Sequence, residues 1–474
     1  MGVELFEEEA RKASARGGAA ATVVAGDVFT WFDQSREAAY DACIGNPPFI
    51  RYQSFPEQYR DRAFGLMTEE GLRPTRLTNA WVPFVVLAAR ALRAGGRLAF
   101  VLPAELLQVG YAGETREYLI RKFAELHVVT FRRLVFPDIQ QETILLLGTR
   151  SETDEGRAAV SFVELDTPDE LSLERILAAD HVEADLDHGR EKWTQYFLSP
   201  RELDLIREVE RSSAFTTLGA LADVDVGVVT GRNEFFVLTP SQAEGLGIAD
   251  ACLPLVGRSA QVPGLVLRRR DWNALRRADS RCFLLQLGNS PRPELSPAAL
   301  AYVQWGEEHG VDRGYKCSIR LPNWWNVPST WVPDAFLLRQ IHDGPRIIEN
   351  RARATATDTI HRIRARPGVS AGALAAASVN SLTFAFSEIR GRSYGGGVLE
   401  LEPTEAEGLL FPFLSQDLSA DDLDALARQR GIEALLAEVN RQVLRPAGLS
   451  RGDIDVLTGI WQKLRARRLA RKRR

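Results

Sequence analysis

The run Asp41-Ala-Cys-Ile-Gly-Asn-Pro-Pro-Phe49 sets the first limit on this chain, because an apolar stretch stops there at two consecutive prolines. Proline offers no backbone N–H, holds φ near about −65° and pushes the preceding residue to extended backbone, so a central strand cannot continue through the pair. A strand over Asp41–Ile44 must therefore end in a stiff loop. In open α/β sheets, ligands bind beyond strand ends of this kind.

The sequence around this run fits such a sheet. Strand-like pieces are expected at Gly2–Leu5, Ala21–Val24, Asp41–Ile44, Arg97–Leu102, Leu126–Phe131 and Thr143–Thr149. Helical periodicity lies between them at Phe6–Ala15, Asn79–Ala94 and Thr115–Phe123. The alternation predicts an α/β domain over residues 1–150, a parallel sheet with helices on both faces. A chain of 474 residues exceeds one compact core. Residues 151–215 are charged, with Glu152, Asp154, Glu155 and the run Glu183–Lys192, and read as a connecting region. Residues 216–445 are irregular, rich in short β pieces and turns, and predict a mixed, β-containing second domain. Residues 446–474 read as a helix running into a basic tail.

Composition narrows the functional classes. No apolar run approaches the roughly 18 residues of a membrane span, and the acidic start with Glu4 and Glu7–Glu9 is unlike a secretory leader. A cytoplasmic protein is expected. Cys43, Cys252, Cys282 and Cys317 lie far apart, with no ligand spacing, so neither zinc nor disulfides are expected. The net charge of −4 means that a nucleic-acid partner would need a local basic surface. Arg232, Arg320, Arg351, Arg353, Arg362 and Arg392 are collectively the candidates for one, although a single arginine is usually solvated surface. Trp324, Trp325 and Trp331 read as core or interface aromatics.

The loop after Asp41–Ile44 suits one chemistry. An aromatic exocyclic amine is a poor nucleophile because its lone pair is delocalised into the ring. The Asn46 side-chain oxygen and the Pro47 carbonyl offer two acceptors that favour a pyramidal nitrogen, and the prolines hold them in place. Phe49 would stack on the base, which must leave the duplex to be reached.

With Asn46-Pro47-Pro48-Phe49, the chain resembles the gamma-class amino methyltransferases of restriction-modification systems, whose motif is (N/D/S)PP(Y/F). The resemblance extends to Gly2-Val-Glu-Leu5, and implies that Glu4 takes the ribose hydroxyls of S-adenosyl-L-methionine (AdoMet). In Gly26-Asp-Val-Phe29 it implies that Asp27 meets the cofactor's adenine amine and that Phe29 packs on that adenine; Asn46 also borders the cofactor. Ala94–Pro103 resembles the family's helix-turn-strand after the loop, and Phe136 matches its second base-stacking aromatic. Val226–Val237, Lys316–Trp325 and Gly391–Gly397 resemble segments of target-recognition domains. The implied fold is a Rossmann-like AdoMet-dependent methyltransferase domain plus a recognition domain, with double-stranded DNA as partner.

The family's glycine-rich first motif should stand about 20 residues before the ribose acid, yet Glu4 is nearly the first residue. The late Gly395-Gly-Gly397 follows no strand-to-helix pattern. The domain is thus expected to be N-terminally truncated and to bind AdoMet poorly as written. A start called too late, a second subunit supplying the strand, or gene decay would each produce this; the intact later motifs favour the first. A restriction endonuclease is a further expected partner.

Adenine N6 is the expected target, because family members acting on cytosine N4 more often carry Ser at the position of Asn46. Methylation of a glutamine amide or an RNA guanine is disfavoured by the large second half. A non-catalytic DNA-recognition subunit is the alternative outside enzymes.

Overall fold

The computed structural model describes residues 1–35, 40–136, 141–153, 157–182, 186–394, 396–412 and 418–470. Asp154, Glu155, the stretch 183–185 and the last four residues of the basic tail lie outside them. The chain is a mixed α/β protein with several sheets and two compact units, one built mainly of Met1–Pro200, the other of Arg201–Ser393 and Val398–Ala466.

In the first unit, β1 (Gly2–Glu4) and β2 (Val23–Ala25) form a parallel pair, joined through α1 (Glu7–Gly17). After α2 (Val28–Ser35) come β3 (Tyr40–Gly45), α3 (Glu57–Glu69), α4 (Trp81–Ala91) and β4 (Leu92–Pro103). Then follow α5 (Glu105–Gln108), α6 (Gly113–Lys122), β5 (Phe123–Phe131), β6 (Thr143–Arg150) and β7 (Ala159–Leu165). The last five strands make one sheet in the order β3-β4-β6-β5-β7.

This sheet is mixed, where an all-parallel one is expected from the alternation. β3 runs parallel to β4 and β7 parallel to β5, but β6 is antiparallel to both of its neighbours. β5 and β6 follow each other with no helix between them among the described residues, and a short return without a crossover is antiparallel. The sheet also continues past residue 150. β7 lies in the stretch read as a connector, where Val160, Val163 and Leu165 are buried.

Local chemistry accounts for the element ends. α4 is buried nearly all round by Trp81, Val82, Val85, Val86 and Leu87, as an apolar helix must be. It stops at Ala91 rather than Ala94 because Leu92 already pairs with Tyr40 of β3. Between that pairing and Ala42↔Arg97, Gly95 sits at φ +74°, and a side chain on Gly96 would strike the Arg93 and Tyr40 carbonyls. α3, which carries no strong apolar stripe, buries only Ala63, Leu66 and Met67.

The second unit contains a five-stranded sheet ordered Val266–Leu267, Ile347–Asn350, Ala335–Leu338, Ile360–Ala365, Ala222–Asp225. A four-stranded sheet is ordered Val237–Leu238, Phe283–Leu285, Cys252–Val256, Thr355–Ala356. Buried Asp424, on the helix Ala420–Val439, ties this helix to the strand that begins at Val266. Its carboxylate accepts from Leu265 N (2.7 Å), Val266 N (3.1 Å), Arg428 Nε (3.0 Å) and Arg268. Gly264 leaves the room, since a Cβ there would lie 1.9 Å from Asp424 Oδ1.

Burial alone would raise the Asp424 carboxyl, but Arg268, the two N–H groups and Arg428 outweigh it and hold the group below the usual carboxylate range. The ionised form is therefore the stabilised one. Its contribution is present above the unfolded value of about 4 and is lost as pH falls through the lower folded value. Asp424→Asn should destabilise the second unit by about 1–3 kcal/mol at neutral pH. In urea unfolding at a series of pH values, its gap to the unaltered chain should narrow below about pH 4.

Candidate active site

The loop after β3 is held at both ends. Gly45 pairs with Phe100 of β4, and a Cβ on Gly45 would already touch the Phe100 ring at 3.2 Å. Beyond it Asn46 and Pro48 are exposed, Pro47 is buried, and Phe49 is half-buried against the core. The Ile50 carbonyl then accepts the Ala80 N–H at 2.9 Å, fastening the loop just ahead of α4. Neither the Asn46 side chain nor the Pro47 carbonyl has a hydrogen-bond partner among the described residues, so both remain acceptors.

Glu4 and Asp27 are brought to the same end of the parallel β1–β2 pair, where Glu4 opposes Ala25 and its carbonyl accepts Gly26 N at 2.8 Å. The Glu4 carboxylate takes the Phe6 N–H on Oε1 (3.2 Å). Asp27 caps α2, its Oδ2 accepting from Thr30 N and Thr30 Oγ1, both at 2.8 Å. Glu4 Oε2 and Asp27 Oδ1 have no partner among the described residues. Phe29 is only 2% exposed and packs edge-on against Phe84 at 4.9 Å. Its side chain is committed to the core, whereas Val28, next to Asp27, is half-exposed. Phe136 is 37% exposed and borders residues outside those described.

Sequence reasoning missed the polar cluster at the start of α4. Asn79 Nδ2 (3.2 Å) and Tyr111 Oη (2.5 Å) both donate to Glu105 Oε2. Asn79 is buried and its Oδ1 has no partner among the described residues. Burial first, and then the Glu105 charge, push the Tyr111 hydroxyl well above its usual range, so it stays a donor. The cluster holds the residues flanking Ala80, and through Ala80 N the loop after β3. Three polar residues spread over 79–111 leave no local pattern in the sequence.

Residues 190–444, more than half of the chain, match the family described as "Type II methyltransferase M.Eco57I, C-terminal domain", and residues 7–136 match "Eco57I restriction-modification methylase". The chain belongs to the Eco57I family of Type II restriction-modification methyltransferases. It is 23% identical over 379 residues to the Type II methyltransferase M.AccI of Acinetobacter calcoaceticus, covering 77% of this chain and 68% of that one. With M.PaeR7I of Pseudomonas aeruginosa it shares 24% identity over 451 residues, covering 89% and 73%. The fold is similar to that of the Type IIL restriction-modification enzyme MmeI, solved in complex with DNA. There the TM-score is 0.55 at 10% identity, over 93% of this chain and 60% of that one.

Within the second unit of this Eco57I-family chain, most of the candidate arginines are occupied. Arg362 is buried, bonded to Val226 O, Ser329 and Asp225. Arg351 pairs with Asp421 and Glu349, and Arg392 with Glu405. Arg320 donates to the Val229 and Thr230 carbonyls. Arg232 and Arg353 stay exposed. Trp324 and Trp325 are core residues, and Trp331 carries the Arg362 and Arg364 guanidinium groups, each 4.5 Å from its ring centre.

The capping of α2 by Asp27 is testable by stability alone. Asp27→Ala should cost about 1 kcal/mol in urea unfolding by uncapping α2, while Asp27→Asn, an equally good cap, should stay within a few tenths.

Proposed function

We propose that this chain is a site-specific DNA methyltransferase acting on N6 of an adenine flipped out of the duplex, with AdoMet as donor. The observation that carries this reading is the pair of acceptors without a partner among the described residues, Asn46 Oδ1 and Pro47 O, on a proline-stiffened loop at the end of β3 that continues into half-buried Phe49. Family membership and the relatives named as methyltransferases support the class of reaction.

The acceptors at the β1–β2 end fit the cofactor's donors. Glu4 would take the ribose hydroxyls through its open carboxylate oxygen, and Asp27 Oδ1 the adenine amine. Val28 is proposed as the apolar surface under that adenine, because Phe29 is committed to the core. AdoMet, when bound, supplies an electrophilic methyl group. Asn46 and Pro47 accept the two N–H bonds of the target amine and turn its lone pair out of conjugation with the ring. Phe49 stacks on the extruded base and offsets part of the few kcal/mol that flipping costs. Phe136 is retained as a second stacking aromatic. No covalent bond to the protein is required.

Calorimetric titration of AdoMet and transfer of labelled methyl groups to unmethylated DNA test the reading together. Asn46→Ala should slow transfer by about 100-fold or more while changing AdoMet affinity less. Glu4→Ala and Asp27→Asn should each weaken AdoMet binding by roughly 10-fold or more, the loss of one charged hydrogen bond. Retained, salt-sensitive DNA binding without methyl transfer or AdoMet binding, both in this chain and in one extended upstream to the next in-frame start, would move the reading to a non-catalytic recognition subunit.

A further inference from the structure

The acceptor loop has a polar support that lies outside the reacting set. β3 and β4 run parallel, so their carboxyl ends share one edge of the sheet, and α5 begins there, just after Pro103. Glu105, the first residue of α5, is half-buried and collects two donors on Oε2: Asn79 Nδ2 at 3.2 Å and Tyr111 Oη at 2.5 Å. Both neighbours of Ala80 are held in this way. Asn79 is bonded directly, and the Trp81 ring lies 6.5 Å from that of Tyr111. The Ala80 N–H in turn donates to Ile50 O at 2.9 Å, next to Phe49.

With only four residues, α5 could not hold Glu105 in place unaided. Arg116, buried on α6, fixes it. Its Nη1 donates to Leu106 O (3.0 Å) and Val109 O (3.1 Å), carbonyls at the end of that short helix, and its Nε donates to His188 O (3.1 Å). Packing does not explain the polar groups that Glu105 meets. Asn79 is buried with Oδ1 lacking a partner among the described residues, and Trp81 Nε1 is buried in the same condition. An apolar side chain at position 79 would fill the start of α4 without that desolvation cost.

We propose that Glu105 is a positioning residue for methyl transfer: through Asn79, Tyr111 and the Ala80–Ile50 hydrogen bond it sets where the Asn46 and Pro47 acceptors stand relative to the target amine. The inference rests on the methyltransferase reading and adds to it a residue that touches neither substrate nor cofactor. Misplacing a reacting group by about 1 Å can slow a reaction roughly 100-fold. An acceptor that acts on the lone pair of the amine matters most in the transition state, so slackening its support lowers kcat rather than raising KM.

The test is labelled methyl transfer from AdoMet to unmethylated phage DNA by the 474-residue chain, with thermal melting and hydrogen exchange of the peptide containing Ala80. Glu105→Ala should lower kcat by about 10- to 100-fold with KM for either substrate within about twofold. Tyr111→Phe, which keeps the ring and loses one donor, should show the same pattern at about 3- to 10-fold. Glu105→Gln, whose amide oxygen still accepts from both donors, should recover transfer to within about threefold of the unaltered chain. In an Asn46→Ala background, Glu105→Ala should cost less than about threefold, because it acts through that loop. An undiminished loss in that background, or a rise in KM at constant kcat, would overturn the inference by giving Glu105 its own contact with a substrate. Unchanged kcat in Glu105→Ala, or a Glu105→Gln chain as slow as Glu105→Ala, would overturn it as well. Should the unaltered chain transfer no methyl groups, the methyltransferase reading would fall and exchange would decide the fastening: Glu105→Ala should speed exchange at Ala80 about 10-fold, and equal exchange would overturn it.

Discussion

The pairing of β3 with β4 is the interaction on which the candidate site depends. From Ala42↔Arg97 to Gly45↔Phe100 the two strands run parallel and in register, and β3 has no other strand partner among the described residues. Gly45 lets the Phe100 ring close onto the strand end, and there the consecutive prolines take the backbone out of the sheet. Were the register to slip by one residue, the faces of β3 would exchange and the loop would leave the sheet pointing elsewhere. β4 in turn is fixed by β6 and by the Gly95-Gly96 turn. The position of two carbonyl oxygens therefore depends on a glycine pair fifty residues downstream.

A second fastening works on the far side of the loop. Ile50 is tied to Ala80 by one backbone hydrogen bond, and Ala80 lies between Asn79 and Trp81, at the mouth of the most apolar helix of the unit. Glu105 gathers Asn79 and Tyr111 onto one carboxylate oxygen, which fixes the start of α4 against the region after β4. Strand register sets where the loop begins, and this polar cluster sets where it ends. Prolines between two fixed points leave little backbone freedom to remove when a substrate binds, which is the physical meaning of a preorganised acceptor pair.

How much of this could be read in advance follows from the range of the forces involved. The strand before Asn46 and the apolar helix near Trp81 were legible because proline and periodicity act locally. The α4 terminus, the direction of β6 and the place of β7 were not, since each depends on a partner strand distant in sequence. Asp27 was read only as a ligand, although an aspartate just ahead of an apolar stretch is itself the mark of a helix cap. Phe29 was assigned to the cofactor because aromatic character is visible in a sequence, whereas the side of α2 it occupies is not. The arginines show the same limit. Arg362 and Arg351 look like Arg232 in a string of letters, and only the fold supplies Asp225, Glu349 and Asp421.

That sorting of arginines bears on how a net-acidic chain can meet a polyanion. Cations bonded to carboxylates are already neutralised and contribute little at a distance, so counting arginines in the second unit overstates its attraction for phosphate. What remains is charge left over after folding, which includes Arg232, Arg258, Arg270, Arg277, Arg313, Lys316, Arg353 and Arg364, all exposed with no ion pair among the described residues. Arg320, by donating to carbonyls, adds a guanidinium with no carboxylate partner among the described residues. The field of the unit is therefore decided less by composition than by which guanidinium groups the fold leaves without a carboxylate.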